Sequence, residues 1–375
     1  MLHGRQTWVG RPSYRRGMHP AIWVSNRPPL STHEAIYLGR YGILFRRTVS
    51  LRCADDKNSV WMFGPVCASF LATHIPEPVA TIGSGRRTDL PGENMARRKI
   101  EKDEDYDRML RNGRGLGEGA TYKPFIRVSD FGSKGRSSKL PGVFFSRSHH
   151  LLSDVETLFH PFLEYDDSVT DIREQFPLLP RKLCIDVARF LGIRYPRVPR
   201  TKVDLVLTID SLATRIIDDK PCYTAYSVKR SADLRNKRTL EKLEIERACS
   251  EILGFRWLLI TERNINPVVA DNLAWASDPF RGMFREDFDA WAGTESFASL
   301  LDVIRPGVYS LPILIEQVSV AAEVDDDHAR DLLRCLIWRK VVKIDWTVPV
   351  IRSGEVTIQA VSPNFTGIQT HDAAG

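Results

Sequence analysis

At 375 residues and a formal charge of +6, the chain exceeds what one core usually holds, so two domains plus an appendage are expected. Hydrophobic residues at 43% and charged residues at 27% are those of an ordinary soluble protein. The six cysteines are scattered without a C-x-x-C pair, and no histidines cluster at metal-ligand spacing, so neither a zinc site nor a disulfide framework is expected.

Residues 1–94 hold twelve Lys/Arg and six Asp/Glu, so the whole positive excess lies in this stretch. It has prolines and short apolar pieces with no sustained period, and reads as a basic, flexible N-terminal extension, either a variable appendage or a nucleic-acid-contacting arm. It begins with no signal-peptide pattern. Its most apolar stretch, Trp61 to Thr73, is broken by Gly64 and Pro65 and is too short for a bilayer, so no membrane and a cytoplasmic setting are expected.

Gly113 to Gly119 looks like a phosphate loop, but no strand precedes it and no Lys-Ser/Thr follows, so it reads as a flexible loop. Pro124 to Phe131 alternates like a strand. Lys123, Arg127, Lys134, Arg136, Lys139, Arg147, His149 and His150 then accumulate with almost no acids between them, which suits either backbone phosphates or a solvated loop.

Leu151 to Tyr165 has helical apolar spacing. Glu156 lies at the margin of that stripe, where it is either the N3 partner of a capping box begun by Ser153 or a functional acid. A strand over 170–178 and a helix over 181–191 follow, then a Pro- and Arg-rich connector. The strand Val203 to Ile209 sets Asp204 on the face opposite Val203, Leu205 and Leu207. After a turn or small insertion over 211–221, a strand runs from Tyr223 to Lys229 with Ser227 and Lys229 on one face. An acid on one strand and a lysine on the next is how a metal-dependent nuclease presents its chemistry, although charged strand ends are more often plain surface. A helix over 239–253 and a buried strand over 255–261 complete a mixed α/β layer.

Asn264 to Pro267 marks a boundary. Helices over 268–276 and 280–304, then Leu311 to Val324 and Asp326 to Arg339, with strands over 340–350, outline a helix-turn-helix with a wing. Asp325 or Asp326 caps the second of the last two helices. Its exposed face carries Asp327, His328, Arg330, Asp331 and Arg334, which is acidic for a major-groove reader and at least as well suited to protein docking.

The segments from His149 to Glu156, Val169 to Pro180, Val203 to Val206, Val228-Lys229 and Thr239 to Arg247, extended by Asn266 to Val269, resemble the TnsA-type endonuclease subunits of heteromeric cut-and-paste DNA transposons. The resemblance implies a restriction-endonuclease-like catalytic domain over 95–263, a mixed sheet flanked by helices, and a winged-helix-type C-terminal domain over 264–375. It implies an Mg2+-dependent DNA endonuclease, with Mn2+ as a substitute, that cuts the 5′ ends of the element. An integrase-like transposase would handle the 3′ ends, and an AAA+ ATPase regulator would dock on the C-terminal domain. By matching positions it makes Glu156, Asp204 and Lys229 the catalytic residues and Glu156, Asp204 and the Val228 carbonyl the metal ligands. It departs from the family pattern at Ser227, where a glutamine stands two positions before the lysine. Two other readings stand beside this one: a catalytically silent DNA-binding adaptor subunit, and a stand-alone nuclease of the same fold.

Overall fold

The protein is described from a computed structural model that covers residues 100–130, 136–199, 201–281 and 295–362. It also gives the backbone of two short paired strands, β1 (Ala35–Leu38) and β2 (Ile43–Arg46). The rest of segment 1–94, and the arm expected there, lies outside the described residues, as do Lys134 and the span 282–294.

Helix α1 (Asp103–Arg111) leads to a hairpin of β3 (Ser138–Pro141) and β4 (Ser148–Leu151). Then come α2 (Asp154–Tyr165), β5 (Val169–Pro177), α3 (Arg181–Phe190), β6 (Thr208–Ile217) and β7 (Lys220–Val228). The unit ends with α4 (Lys237–Ile252), β8 (Arg256–Ile260) and α5 (Pro267–Ser277). The four-stranded sheet runs β5-β6-β7-β8, antiparallel except for the parallel β7/β8 pair. Short polar side chains start the helices as the sequence suggests. Ser153 accepts from the Glu156 amide, Asn236 from those of Arg238 and Thr239, and Asn266, ahead of Pro267, from those of Val268 and Val269.

Both faces of the sheet are covered, which makes this a mixed α/β layer. Leu183, Val187, Ile245 and Cys249 of α3 and α4 pack on one face against Ile209, Leu212 and Ala225. On the other face Val155, Leu163 and Ala270 of α2 and α5 pack against Ile172, Ala213 and Val228. Alternation along β6, with Leu212 and Ala213 facing opposite ways, is what lets one strand serve both cores.

The C-terminal part contains α6 (Glu295–Val303), β9 (Gly307–Ser310), α7 (Leu311–Ala322), α8 (Asp326–Trp338), β10 (Val342–Ile344), α9 (Val350–Ser353) and β11 (Glu355–Val361). Its sheet has the order β10-β11-β9. Asp325 is the cap of α8, accepting from the amides of Asp327 and His328. This part is joined closely to the first. In α5, Ala270 belongs to the core between α2 and the four-stranded sheet while Leu273 and Ala276 belong to the C-terminal core. Asn272 Nδ2 donates to the carbonyls of Trp346 (2.9 Å) and Val348 (2.7 Å), and Lys340 Nζ donates to that of Tyr165 at the end of α2 (3.0 Å).

Several expectations change. Of the span read as a strand, the described residues 124–130 form only a 3-10 turn at Val128–Asp130. The glycine-rich stretch is a tight turn that packs on β5: Gly115 has φ +74, and a Cβ there would meet Pro177 Cγ at 2.4 Å. The central strand is displaced most. It begins at Thr208 and runs through the segment read as a turn, whereas Asp204 forms only an isolated bridge with Arg197. The Pro- and Arg-rich connector folds back on this stretch instead, since the Val198 amide donates to the Val203 carbonyl (2.9 Å) and the Leu205 amide to that of Pro196 (3.0 Å). β9 and β11 had no counterpart in the sequence reading.

Candidate active site

The first turn of α2, the middle of α4 and the facing ends of β5, β6 and β7 bring three acids, a glutamine and a lysine into one largely buried cluster. Asp210, the third residue of β6, accepts from the Val228 amide (2.6 Å) and from Lys229 Nζ (2.7 Å), both at Oδ2. Lys229 Nζ also donates to the Val228 carbonyl at 3.0 Å. Pairing of Glu174 with Ser211 and of Phe176 with Ile209 leaves Gln175 opposite Asp210. Gln175 has φ +49, and its Nε2 donates to Glu156 Oε2 at 3.2 Å while its Oε1 accepts from Thr208 Oγ1.

Glu156 is 5% exposed and fills both roles that the sequence left open. Its Oε1 accepts from Ser153 Oγ (2.8 Å) and its Oε2 from the Leu152 amide (3.0 Å), an N-terminal capping arrangement. The same carboxylate stands within the field of Asp210. Burial and then that neighbouring charge push its pKa up to about 7. Cap and cluster are therefore compatible, because the cap bonds use the carboxylate without turning it away from Asp210.

Glu246 of α4 approaches from the far side. Its Oε2 accepts from Ser227 Oγ at 2.9 Å, and the same hydroxyl accepts from the Trp257 indole at 3.0 Å. Burial raises the Glu246 pKa to about 7, with Lys229 pulling it down and Asp210 pushing it up. Burial opposes the charge on Lys229, but Asp210, Glu246 and Glu156 outweigh it and hold the ammonium above its ordinary value. Ser227, the departure from the family pattern, is fully buried and is committed to Glu246 and Trp257.

Among the expected residues, Glu156, Lys229 and the Val228 carbonyl meet in this cluster, and Asp204 does not join them. Asp204 Oδ1 pairs with Arg197 Nε at 2.9 Å in a partly exposed ion pair, and its carbonyl accepts from Arg181. The acid in contact with the lysine is Asp210, because the strand that pairs with β7 begins past Asp204. The sequence reading also missed Gln175 and Glu246. Glu246 follows Leu243 by three residues on the apolar side of α4, and an acid placed there is the signal that could have marked it. Two of the expected phosphate-contacting residues are internal. Arg147 pairs with buried Glu174 at 2.8 Å, and His149 Nδ1 lies 2.9 Å from the same carboxylate.

Residues 166–262, which include Asp210, Lys229 and Glu246, match the family model described as TnsA-like endonuclease N terminal. The chain is similar to the Transposon Tn7 transposition protein TnsA of Escherichia coli, 41% identical over 172 residues, which is 45% of this chain and 60% of that protein. The chain thus spans about 60% of the length of this relative, less than two thirds. No helix among the described residues is long and apolar enough to cross a membrane. The resemblance to TnsA-type endonuclease subunits is borne out by these matches, over the segment that supplies most of the buried acid and lysine cluster.

Proposed function

We propose that this chain is the DNA endonuclease subunit of a heteromeric transposase and hydrolyses phosphodiester bonds at the 5′ ends of the element during excision. The observation that carries this reading is the contact of Lys229 with Asp210 beside buried Glu156, within and next to the TnsA-like segment.

The donor set fits a hard divalent cation. Glu156, Asp210 and the Val228 carbonyl offer only oxygen, which suits Mg2+ or Mn2+. Two carboxyl groups, Glu156 and Glu246, raised to about 7 by burial and by the nearby charge of Asp210, mark a concentration of negative charge that such a cation would relieve. When bound, the metal supplies Lewis-acid polarisation of the phosphate and a more acidic water. The chain supplies the rest. Asp210 and Glu156 hold the oxygen donors in place, and Gln175 and the Leu152 amide fix the Glu156 carboxylate. Lys229, held in its charged form, shields negative charge developing on the phosphate; it is poorly placed to accept a proton. Asp210 takes over the role that sequence matching gave to Asp204.

The C-terminal part is proposed to be of winged-helix type, since two packed helices are followed by the small β10-β11-β9 sheet. The acidic first turn of α8 suits docking of a protein partner such as an AAA+ ATPase better than entry into a DNA groove. The division at about residue 264 and the cytoplasmic setting belong to the same reading.

The test is cleavage of a labelled transposon-end duplex with Mg2+, with and without the partner transposase and ATPase, for wild type, Asp210→Asn and Lys229→Ala. Nicking at the 5′ end that depends on both residues supports the reading. Absence of cleavage in every combination, with complex assembly intact, would replace it with the adaptor reading.

A further inference from the structure

One turn along α2 from Glu156, on the same face, the fold builds a second cluster of different chemistry. His160 and Glu164 follow at successive turns of the helix, and His149 reaches them from β4. One ligand atom from each of the three lies within 4.8 Å of the others, and all three residues are buried. The two imidazole rings are 4.3 Å apart, centre to centre.

Three features distinguish this cluster from an ordinary buried polar contact. Neither ring nitrogen of His160 has a hydrogen-bond partner although the residue is 1% exposed. Its Nε2 lies 3.3 Å from Glu164 Oε1, close but out of hydrogen-bonding alignment. Burying such a group unpaired is unfavourable, so the site favours something that takes a nitrogen lone pair. Next, His149 Nδ1 is engaged by Glu174 Oε2 at 2.9 Å, which leaves Nε2 as the atom facing the cluster. A carboxylate behind the far nitrogen is the usual support of a metal-binding histidine. Last, residue 142 is glycine where a Cβ would come within 3.0 Å of His149 Nε2.

We propose that His149 Nε2, His160 Nε2 and an oxygen of Glu164 form a structural zinc site, separate from the carboxylate cluster around Asp210. Two imidazole nitrogens and one carboxylate oxygen are a zinc donor set, unlike the all-oxygen set next door. Glu164 is already shared. Its Oε1 accepts from the Val143 amide (3.2 Å) and from Arg281 Nη1 (3.2 Å), and Arg281 Nη2 bonds Oε2. A carboxylate has about four lone-pair positions, so the cation and the guanidinium divide it between them. With three buried ligands the site offers no route for a substrate; its work is to tie the β3/β4 hairpin to the helix that presents Glu156.

The test uses the full chain carrying Asp210→Asn, so that the oxygen cluster is disabled and zinc affinity reads the histidine cluster alone. Zinc content after purification, calorimetric Zn2+ titration and thermal unfolding with and without Zn2+ are measured, with Co2+ absorption as a report of nitrogen ligation. The expected result is a single zinc site, a Tm that rises with Zn2+ and a Co2+ absorption band that reports nitrogen ligation. Adding His160→Leu should weaken Zn2+ binding on the order of tenfold or more and abolish the Tm rise. The leucine variant is expected to fold because an apolar side chain fills the buried space and Glu164 keeps its bonds from the Val143 amide and Arg281, and His149→Gln serves as the second variant. Absence of zinc binding by the Asp210→Asn protein, or binding unaffected by His160→Leu and His149→Gln, overturns the proposal. Neither outcome bears on cleavage, which Asp210→Asn removes in any case.

Discussion

Lys229 Nζ bonds Asp210 at 2.7 Å, whereas Asp204, six residues earlier, bonds Arg197. Asp210→Asn is therefore expected to reduce metal-dependent cleavage by orders of magnitude, since both the donor oxygen and the partner of the lysine are altered. Asp204→Asn breaks a partly exposed ion pair, should cost no more than about 1 kcal/mol and should leave cleavage near wild type. A nicking assay on both variants with matched unfolding curves checks this. Inactive Asp204→Asn beside active Asp210→Asn would reverse the assignment.

Stability without metal should fall as pH rises from about 4.5 to about 7. Glu156 and Glu246, both raised to about 7 by burial, keep protons in the folded chain that the unfolded chain releases near 4.5. Buried His149, lowered to about 4, and His150, lowered less, work against them over the same window. The two raised carboxyls outweigh these imidazoles, so the net slope of stability with pH is negative and shallow there. Glu164 and Glu174, held below their ordinary value against burial by His160 and Arg281 and by His149 and Arg147 respectively, work oppositely but only on the acid side of it. Mg2+ needs the ionised carboxylates, so stabilisation by Mg2+ should grow over the same rise in pH. Thermal unfolding across pH in chelator and in Mg2+ separates the two trends; a chelated protein that grows steadily more stable toward neutral pH would contradict the first.

Ser227→Ala should destabilise the chain by about 1–3 kcal/mol, because it strands the Glu246 carboxylate and the Trp257 indole in a buried setting. Its effect on cleavage should exceed its effect on DNA binding, since Glu246 lies in the field of Lys229. Urea unfolding, a binding titration and the nicking assay give the three numbers.

Gly142→Ala should cost about 1–3 kcal/mol through overpacking. The added Cβ would stand 2.9 Å from the carbonyl oxygens of Arg147 and Phe145, and that turn has no flexible side chain to displace. Denaturant midpoints compared at equal m-value test this.

Helices were legible where spacing and caps agreed, as over Asp154–Tyr165 and Asp326–Trp338, because apolar period and N-cap chemistry are local properties. The position of β6 was not. Val203 to Ile209 has the same alternation as a strand, and only the fold-back of 196–198 onto 203–205 decides that Asp204 stays outside the sheet. That Lys229 and Glu156 would lie together was expected from the resemblance, whereas Asp210, Gln175 and Glu246 join that cluster through tertiary register. The histidine cluster was hidden for a related reason. His149 and His160 are eleven positions apart and on different elements, so no spacing rule joins them.

Helix α2 is held at both ends by parts of the chain with different duties. Its first turn sets Glu156 beside Asp210, while the carbonyl of its last residue, Tyr165, takes the ammonium of Lys340 from the turn between α8 and β10. Helix α5, common to both cores, lies alongside it. A protein docked on α8, as proposed, would bear on a helix whose opposite tip is an acid of the proposed site, and a shift of well under one helical turn would alter the spacing of Glu156 from Asp210. On that account the proposed activity would be licensed by assembly, with no loop needing to open.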